Sequence, residues 1–527
     1  MKKSVWINVI IILVIVIIIN LISLSLFHRF DKTKDKIFSL SEVTKQTLEN
    51  LEDRLVVKAY FSADKDLPPN LKDARRYAKD LLTEYSSYSK GQLKFEFISP
   101  DKDEELKKEA EKHKIPAVTV NIVENDNQVS KLVYLGFAFL YQGKIESIPV
   151  VYQNQGLEYE ITLTLKKLIS KEQKKIAVFR NDNITRNMFG QEIDHYADFT
   201  NTISESYEIV RSDLSQPLPD DISGLFITGI TDSLSTEQLY NLDQYIMKGG
   251  SVALFQDKVQ ADINSQQAQV INTNLFDLLS HYGINIKQNL IGDANCSGDM
   301  LSIRQGNMIR RIPLEAYPFN PIITSFNDDA ELVKNIDVLS LKFPSELDNS
   351  NIPPEIEFTP LMFSSKNTKR ATAPRFDIGI MSYYQKNLEE ILTEEPATLA
   401  GIYRGKFKSY FADNLNFEDR IAESAESKII ILADSDLLFV TKDKVKNNYD
   451  FLLNTIDTIA GEGSLIQLRS RGSEFKPIKK EIADSKSKKG VIKWTNILLP
   501  SFLLILFGLL SYKLYDNKKK RLEKKYE

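Results

Sequence analysis

LYNLDQYIMKGGSVALF, residues 239–255, reads as a helix and a strand joined by two glycines. Leu239, Leu242 and Ile246 recur at three- and four-residue steps, the spacing that stacks side chains on one face of a helix. Gly249 and Gly250 supply the left-handed turn that glycine adopts without strain, and Ser251 to Phe255 is a short apolar run suited to a strand buried on both faces. Such a strand needs helices on either side, so the unit predicts a parallel, doubly wound sheet. The flanks repeat the alternation. Upstream, Lys175–Phe179, Tyr207–Arg211 and Gly224–Thr228 predict strands, with a helix near Gln191 to Ser206. Downstream, Lys428–Ala433 is a buried strand by composition, followed by a helix carrying Phe451, Leu452, Ile456 and Ile459 and a strand over Leu465–Leu468. Between about 296 and 427 the pattern lapses and prolines from Pro313 to Pro396 are scattered, which predicts an irregular insertion in an α/β domain spanning 173–475.

Residues 28–172 predict a separate domain. Ser39 with Glu42 fits a capping box opening a short helix, and Leu55–Phe61 and Leu93–Ile98 read as strands. Leu71, Ala74, Ala78, Leu81, Leu82 and Tyr85 form one helical stripe between them, and a second helix covers Asp103 to His113. Strands over Val118–Val123 and Leu132–Leu140 and a helix near Tyr159–Ile169 complete the order β-α-β-α-β-β-α, that of a thioredoxin-like domain. Pro116 stands where such folds often hold a cis proline. There is no C-x-x-C and no cysteine in this domain, so thiol redox chemistry is excluded there.

The ends differ from the body. Residues 4–27 contain no charge and include an unbroken Val, Ile and Leu run from Val9 to Ile19, which predicts a membrane-spanning helix; a cleaved signal peptide, with Lys2 and Lys3 as its basic start, is the rival reading. Residues 494–512 are also free of charge and predict a second span, preceded by a Lys- and Ser-rich flexible stalk over 476–493. The tail at 513–527 holds Lys513, Lys518, Lys519, Lys520, Arg521, Lys524 and Lys525, which the positive-inside rule places in the cytoplasm. The expected fold class is therefore α/β, with two transmembrane helices flanking the two domains. The expected localisation is the bacterial inner membrane, both termini cytoplasmic and the large body periplasmic, with membrane lipid as a partner.

The net charge is only −4, with 68 basic and 72 acidic residues, so nucleic acid is not an expected partner. No G-x-x-x-x-G-K-[ST] occurs, so the chain is not itself a P-loop ATPase; Gly461-Glu462-Gly463 reads as a helix cap and turn. His28, His113, His195 and His281 are far apart, none near a cysteine at metal-ligand spacing, and no metal or cofactor is expected. The single cysteine, Cys296, has no strand-to-helix elbow around it. The most suggestive polar group is Asp434-Ser435-Asp436 at the end of a buried strand, where open α/β sheets bind ligands. It could hold a cation or polar ligand, or cap the turn that follows. Asn8 and Asn20, inside the first apolar segment, could hydrogen-bond a neighbouring helix.

Several short motifs, weak alone, recur in a fixed order. They are Arg29-Phe30-Asp31 with Ser39-Leu40-Ser41, Leu234-Ser235 leading through Leu242-Asp243-Gln244-Tyr245 to Gly249-Gly250, Ala433-Asp434-Ser435-Asp436-Leu437, Ala460-Gly461-Glu462, and Leu468-Arg469-Ser470-Arg471. In this order the chain resembles the auxiliary component of the gliding-motility type ABC transporter, the GldG-like family often labelled as its substrate-binding protein. The resemblance implies a class I glutamine-amidotransferase-like fold for the second domain, shared with an intraflagellar transport protein, and a non-enzymatic accessory role beside a separate permease and a separate cytoplasmic ABC ATPase. No catalytic Cys-His pair of the amidotransferase kind is evident in this sequence, so no catalytic residue is expected. Two alternatives stay open: an envelope scaffold or motility-linked structural protein without transport function, and a degenerate hydrolase or amidotransferase-like enzyme using Cys296 or the Asp434/Asp436 pair.

Overall fold

The computed structural model describes residues 39–526 apart from 125–126, 153–155, 171–172, 181–183, 187–191, 195, 306–307, 415–416, 440–445 and 471–485. The chain divides into two compact units, Met1–Ser473 and Glu474–Glu527.

The first unit opens with α1 (Glu42–Glu49), whose N-cap Ser41 accepts a hydrogen bond from the Thr44 N–H. A four-stranded mixed sheet follows. β1 (Leu55–Phe61) pairs parallel with β2 (Leu93–Ile98) through the crossover helix α2 (Pro69–Tyr88), and α3 (Glu104–Lys112) follows β2. The hairpin of β3 (Val118–Glu124) and β4 (Asn127–Val133) forms a ladder of its own. It is β5 (Leu135–Tyr141) and β6 (Lys144–Ile148) that join the sheet, giving the order β2-β1-β5-β6 with β5 antiparallel to β1. The expected strand over Leu132–Leu140 is thus split at Tyr134, because Tyr134 turns the chain from one ladder into the next, its N–H donating to Ser62 Oγ at 2.9 Å. Among the described residues the cis peptide bond falls at Ala373-Pro374 instead of before Pro116. α4 (Leu157–Ile169) closes this layer and buries Leu157, Ile161, Leu165 and Leu168.

The principal sheet has eight strands. β7 (Lys175–Arg180), β8 (Glu208–Arg211), β9 (Ile222–Thr228), β10 (Val252–Phe255) and, after the long insertion, β18 (Ser427–Leu432) are mutually parallel. Between β10 and β18 lie two hairpins, β11 (Val259–Asp262) with β12 (Gln267–Val270) ahead of the insertion and β13 (Asp299–Gln305) with β14 (Met308–Leu314) within it. The insertion also supplies β15 (Ser325–Phe326), β16 (Ile356–Phe363) and β17 (Thr398–Gly405), which extend the sheet antiparallel, in the order β8-β7-β9-β10-β18-β17-β16-β15. Helices cover both faces: α5 (Ala197–Ser204) and α7 (Lys446–Ile459) on one, α6 (Thr236–Met247) on the other. Alternation along β9 sends Phe226 to the α5/α7 core with Val178, Phe255, Leu432 and Phe451, and Leu225 and Ile227 to the α6 core with Leu242, Ile246 and Leu254. The helix-to-strand turn after α6 uses Gly249 at φ +90°, and a Cβ on Gly250 would lie 2.4 Å from Tyr245 Cε1, so both glycines are required.

Residues 464–470 form a helix, α8 (Ser464–Ser470), instead of the expected strand; its apolar residues Leu465, Ile466 and Leu468 are buried at helical spacing. The second unit contains α9 (Lys486–Tyr526), so the expected flexible stalk is helical from Lys486 onward.

The expectation of two transmembrane helices is corrected. Residues 4–27, with Asn8 and Asn20, lie outside the described residues. Residues 494–512 fall inside α9, and among the described residues no helix is long and apolar enough to cross a membrane. The charge-free stretch is less than half of one continuous helix that carries Lys486, Lys488 and Lys489 before it and Lys518, Lys519, Lys520 and Arg521 after it. The inner-membrane localisation, with cytoplasmic termini and a periplasmic body, rested on those spans and is withdrawn with them. What stands is the mixed α/β class.

Candidate functional site

Parallel strands β7, β9, β10 and β18 all end at one edge of the principal sheet. The chain order of the parallel set, second-first-third-fourth-fifth, puts the topological switch between β7 and β9, the place where doubly wound sheets open a crevice. Arg180 ends β7, Thr228-Gly229 ends β9, Gln256-Asp257 follows β10, and Ala433-Asp434-Ser435-Asp436 follows β18.

The β10–β18 register, with Phe255 opposite Leu432, sets Asp257 beside Ser435. The Ser435 N–H donates to Asp257 Oδ1 at 2.9 Å, and its hydroxyl donates to Asp257 Oδ2. Asp434 is buried and accepts three backbone hydrogen bonds. Lys342 N–H reaches Oδ2 at 2.7 Å, and the N–H groups of Asp436 and Leu437 reach Oδ1 at 2.7 and 3.2 Å. Asp434 therefore caps the single turn of 3-10 helix that follows, an Asx-type arrangement, while pinning the insertion at Lys342 to the sheet edge. Burial pushes the Asp434 carboxyl well above the usual range, and the charges of Asp257 and Asp436 add to it. Burial and Asp257 raise Asp436 to about 7, opposed by Lys342, and burial raises Asp257. Burial and mutual repulsion among the three carboxyl groups thus favour keeping a proton at this edge.

Across the switch point, Arg180 makes a two-pronged pair with Asp194 at 3.0 and 2.8 Å and lies 4.5 Å from the Tyr196 ring. The Arg180 hydrogen bonds hold Asp194 below the usual carboxylate range, and burial lifts the Tyr196 hydroxyl to about 12. The edge thus combines a fixed cation–carboxylate pair on one side with protonatable carboxyls on the other. That arrangement suits exchange of hydrogen bonds and protons with a polar ligand. Among the described residues no group of three or more His, Cys, Asp and Glu side chains has the geometry to hold a metal ion.

The other residues singled out by sequence lie elsewhere. Cys296 sits in the insertion, its thiol free and partly buried and its backbone paired antiparallel with that of Pro321; burial, with Asp293 adding, pushes the thiol up to about 11. His113 is buried against Tyr60, its Nδ1 2.7 Å from the hydroxyl, and His281 Nε2 lies 3.2 Å from the Lys408 carbonyl; His28 and His195 fall outside the described residues. Gly461, at φ +70°, ends α7 as a cap.

Sequence reading missed a second polar cluster between the two sheets. Arg469 Nη2 donates to Asp457 Oδ2 at 2.6 Å and to the Tyr159 hydroxyl at 2.9 Å, and Nη1 donates to Asn454 Oδ1. Close by, Glu462 accepts from Lys166 and from Lys174, the latter at 3.0 Å; burial opposes its ionisation, but those two amines hold it below its ordinary value. The available signal was a charged side chain, Arg469, at a position spaced with buried apolar ones.

Fold and edge together define a mixed α/β protein with a proton-holding acidic rim at the carboxyl ends of its parallel strands. The chain belongs to the family described as an ABC-type uncharacterized transport system, whose model matches residues 173–455, and membership gives it an accessory, transport-related role among other transporter components. A domain of unknown function matches residues 34–139. A protein of Borreliella burgdorferi described as uncharacterized is 26% identical over 508 residues, covering 93% of this chain and 94% of that one. Among solved structures, the N-terminal domain of mmIFT52 aligns with 54% of this chain and 96% of its own at 9% identity and a TM-score of 0.31. A ThuA-like protein from Parabacteroides merdae aligns with 59% of this chain and 94% of its own at 10% identity and a TM-score of 0.25.

Proposed function

We propose that this protein is a non-catalytic accessory subunit of an ABC transport system, acting beside a separate permease and a separate ATPase, and that it receives polar cargo at the carboxyl edge of its principal sheet. The observation that carries the reading is the extent of the family match, which runs from before β7 into α7 and so takes in all five parallel strands and both acidic loops. The sequence holds no P-loop, which supports a reading in which a separate subunit hydrolyses nucleotide. A Cys296 thiol held protonated by burial is a poor nucleophile, which supports a binding role over a covalent one. Tagging the protein in its native cells and purifying it in mild detergent is expected to recover a permease and a P-loop ATPase in fixed ratio. Recovery of neither, across several detergents, sinks the proposal.

A further inference from the structure

The stretch from Met300 to Leu314 differs from its surroundings in charge: it contains three arginines and no acidic residue, in a chain of net charge −4. It forms the antiparallel ribbon β13–β14 together with Asp299, the ribbon's one acidic residue, which sits at the root opposite Leu314 and pairs with Lys342 at 3.3 Å; the ladder runs out to Gln305 opposite Met308, and neither strand pairs with a third among the described residues. At its root Leu301 and Leu314 are buried, in the same cluster as Tyr317 and Phe319. Toward its end the apolar side chains face water: Met308 is 74% exposed and Ile309 is 68% exposed. Arg310 and Arg311 are exposed beside them.

A second exposed methionine segment adjoins the root. Asn264 Oδ1 accepts from the Ser302 N–H at 2.8 Å, and Gln266 Oε1, two residues on in the same turn, accepts from the Ile380 N–H at 3.0 Å. Met381, next to Ile380, is 77% exposed. Met300, Met308 and Met381 are thus all exposed on this lobe, whereas Met247 and Met362 are buried in the cores. Unbranched thioether side chains repack against varied apolar surfaces, so methionine exposed together with arginine suits a contact that must adapt to a partner.

We propose that the β13–β14 ribbon, with Met381 at its root, is the surface by which this protein docks on an acidic, apolar-centred face of another protein component of its transport system. The proposal rests on the accessory reading above and names where that contact is made. Charge sets the partner's sign, and alternation along β14 puts Met308 and Arg310 on one face of the ribbon and Ile309 and Arg311 on the other, so the acidic partner face is concave and meets one arginine and one apolar side chain on each side. The ribbon has no aromatic residue between Met300 and Leu314, unlike segments that seat among lipid headgroups through Trp and Tyr, so a protein face is the occupant that fits.

The test uses the full chain, tagged in its native cells and purified in mild detergent, with the permease and ATPase quantified by mass spectrometry. Arg310→Glu with Arg311→Glu, and separately Met308→Glu with Ile309→Glu, are each expected to lower recovery of the partner about tenfold or more. Leu132→Glu, on the β3–β4 hairpin and 65% exposed, is expected to leave it unchanged. All five positions are exposed, and an unaltered thermal midpoint checks that each variant is folded. Recovery undiminished in both ribbon variants overturns the docking surface while the accessory reading stands; no permease or ATPase with the unaltered chain overturns both. Ribbon-dependent binding to anionic phosphatidylglycerol vesicles, or a dimer of this chain that the ribbon variants dissolve, with partner recovery unchanged, overturns it in favour of lipid or self-association.

Discussion

A carboxyl group that keeps its proton near neutral pH changes how stability follows pH, and Asp436 is such a group, raised to about 7 by burial and by Asp257. In the unfolded chain it would titrate near 3.9. Between roughly pH 4 and 7 the folded form therefore binds more protons than the unfolded form, and its contribution to stability is fully present below that window and falls as pH rises through it. Asp436→Asn keeps the backbone N–H that caps onto Asp434 and removes the charge. The variant is expected to lie closest to the parent at about pH 3.5 and to exceed it by up to about 4 kcal/mol at pH 8, read by urea denaturation at the two values; equal stability at pH 8 would show that the rim is not held protonated. Asp434, Ser435 and Asp436 were legible because polar residues directly after an apolar strand fall at a sheet edge. Asp257 was not, although it too follows an apolar strand: its place beside Ser435 depends on β10 pairing with a strand that returns only after the whole insertion, and no local pattern encodes that register.

At the scale of elements, the glycine end of α6 was legible, but its start was not singled out, and the N-cap expected at Ser39, in a capping box with Glu42, falls two residues on, at Ser41, whose hydroxyl accepts from the Thr44 N–H. The capping box of α6, with Ser235 Oγ accepting from the Gln238 N–H at 3.2 Å and Gln238 Oε1 accepting from the Ser235 N–H at 2.8 Å, fixes its start as firmly as Gly249 fixes its end. Ser235→Ala is expected to cost about 1 kcal/mol and Ser235→Gly only a few tenths, measured as a shift in denaturation midpoint at unchanged slope. Short apolar runs without such signals were misread. Leu465 to Leu468 fits four residues of strand or one turn of helix equally well, and only packing decides: as a helix it buries Leu465, Ile466 and Leu468 and turns Arg469 inward to Asp457. The β3–β4 hairpin was misplaced for a related reason, because two adjacent β-rich runs on either side of Tyr134 look like one strand until their partners are known.

For the body of the molecule, the question is why two separate sheets form one compact unit through Ser473. Tyr159 belongs to α4, which covers the first sheet, while Asp457 and Asn454 belong to α7, which covers the principal one. Arg469 of α8 binds all three, with its guanidinium also 4.9 Å from the Tyr159 ring. Burial raises the Asp457 carboxyl and the Arg469 charge opposes that rise, and Asp457 also accepts the Tyr207 hydroxyl at 2.6 Å. Removing the arginine would leave a buried carboxyl without its cation, which costs far more than the pair contributes over an apolar replacement. Arg469→Ala is therefore expected to lose about 3–5 kcal/mol. Tyr159→Phe, which removes one hydrogen bond and keeps the ring under the guanidinium, is expected to lose about 1 kcal/mol. Because the lost contacts join the two sheets, the larger loss should fall on their coupling: calorimetry is expected to show one transition for the parent and for Tyr159→Phe, and two for Arg469→Ala, with the first-sheet transition at the lower temperature because that sheet has the smaller core. A single cooperative transition in Arg469→Ala, merely shifted, would mean that the apolar contacts of α4 with α8 couple the sheets without the arginine.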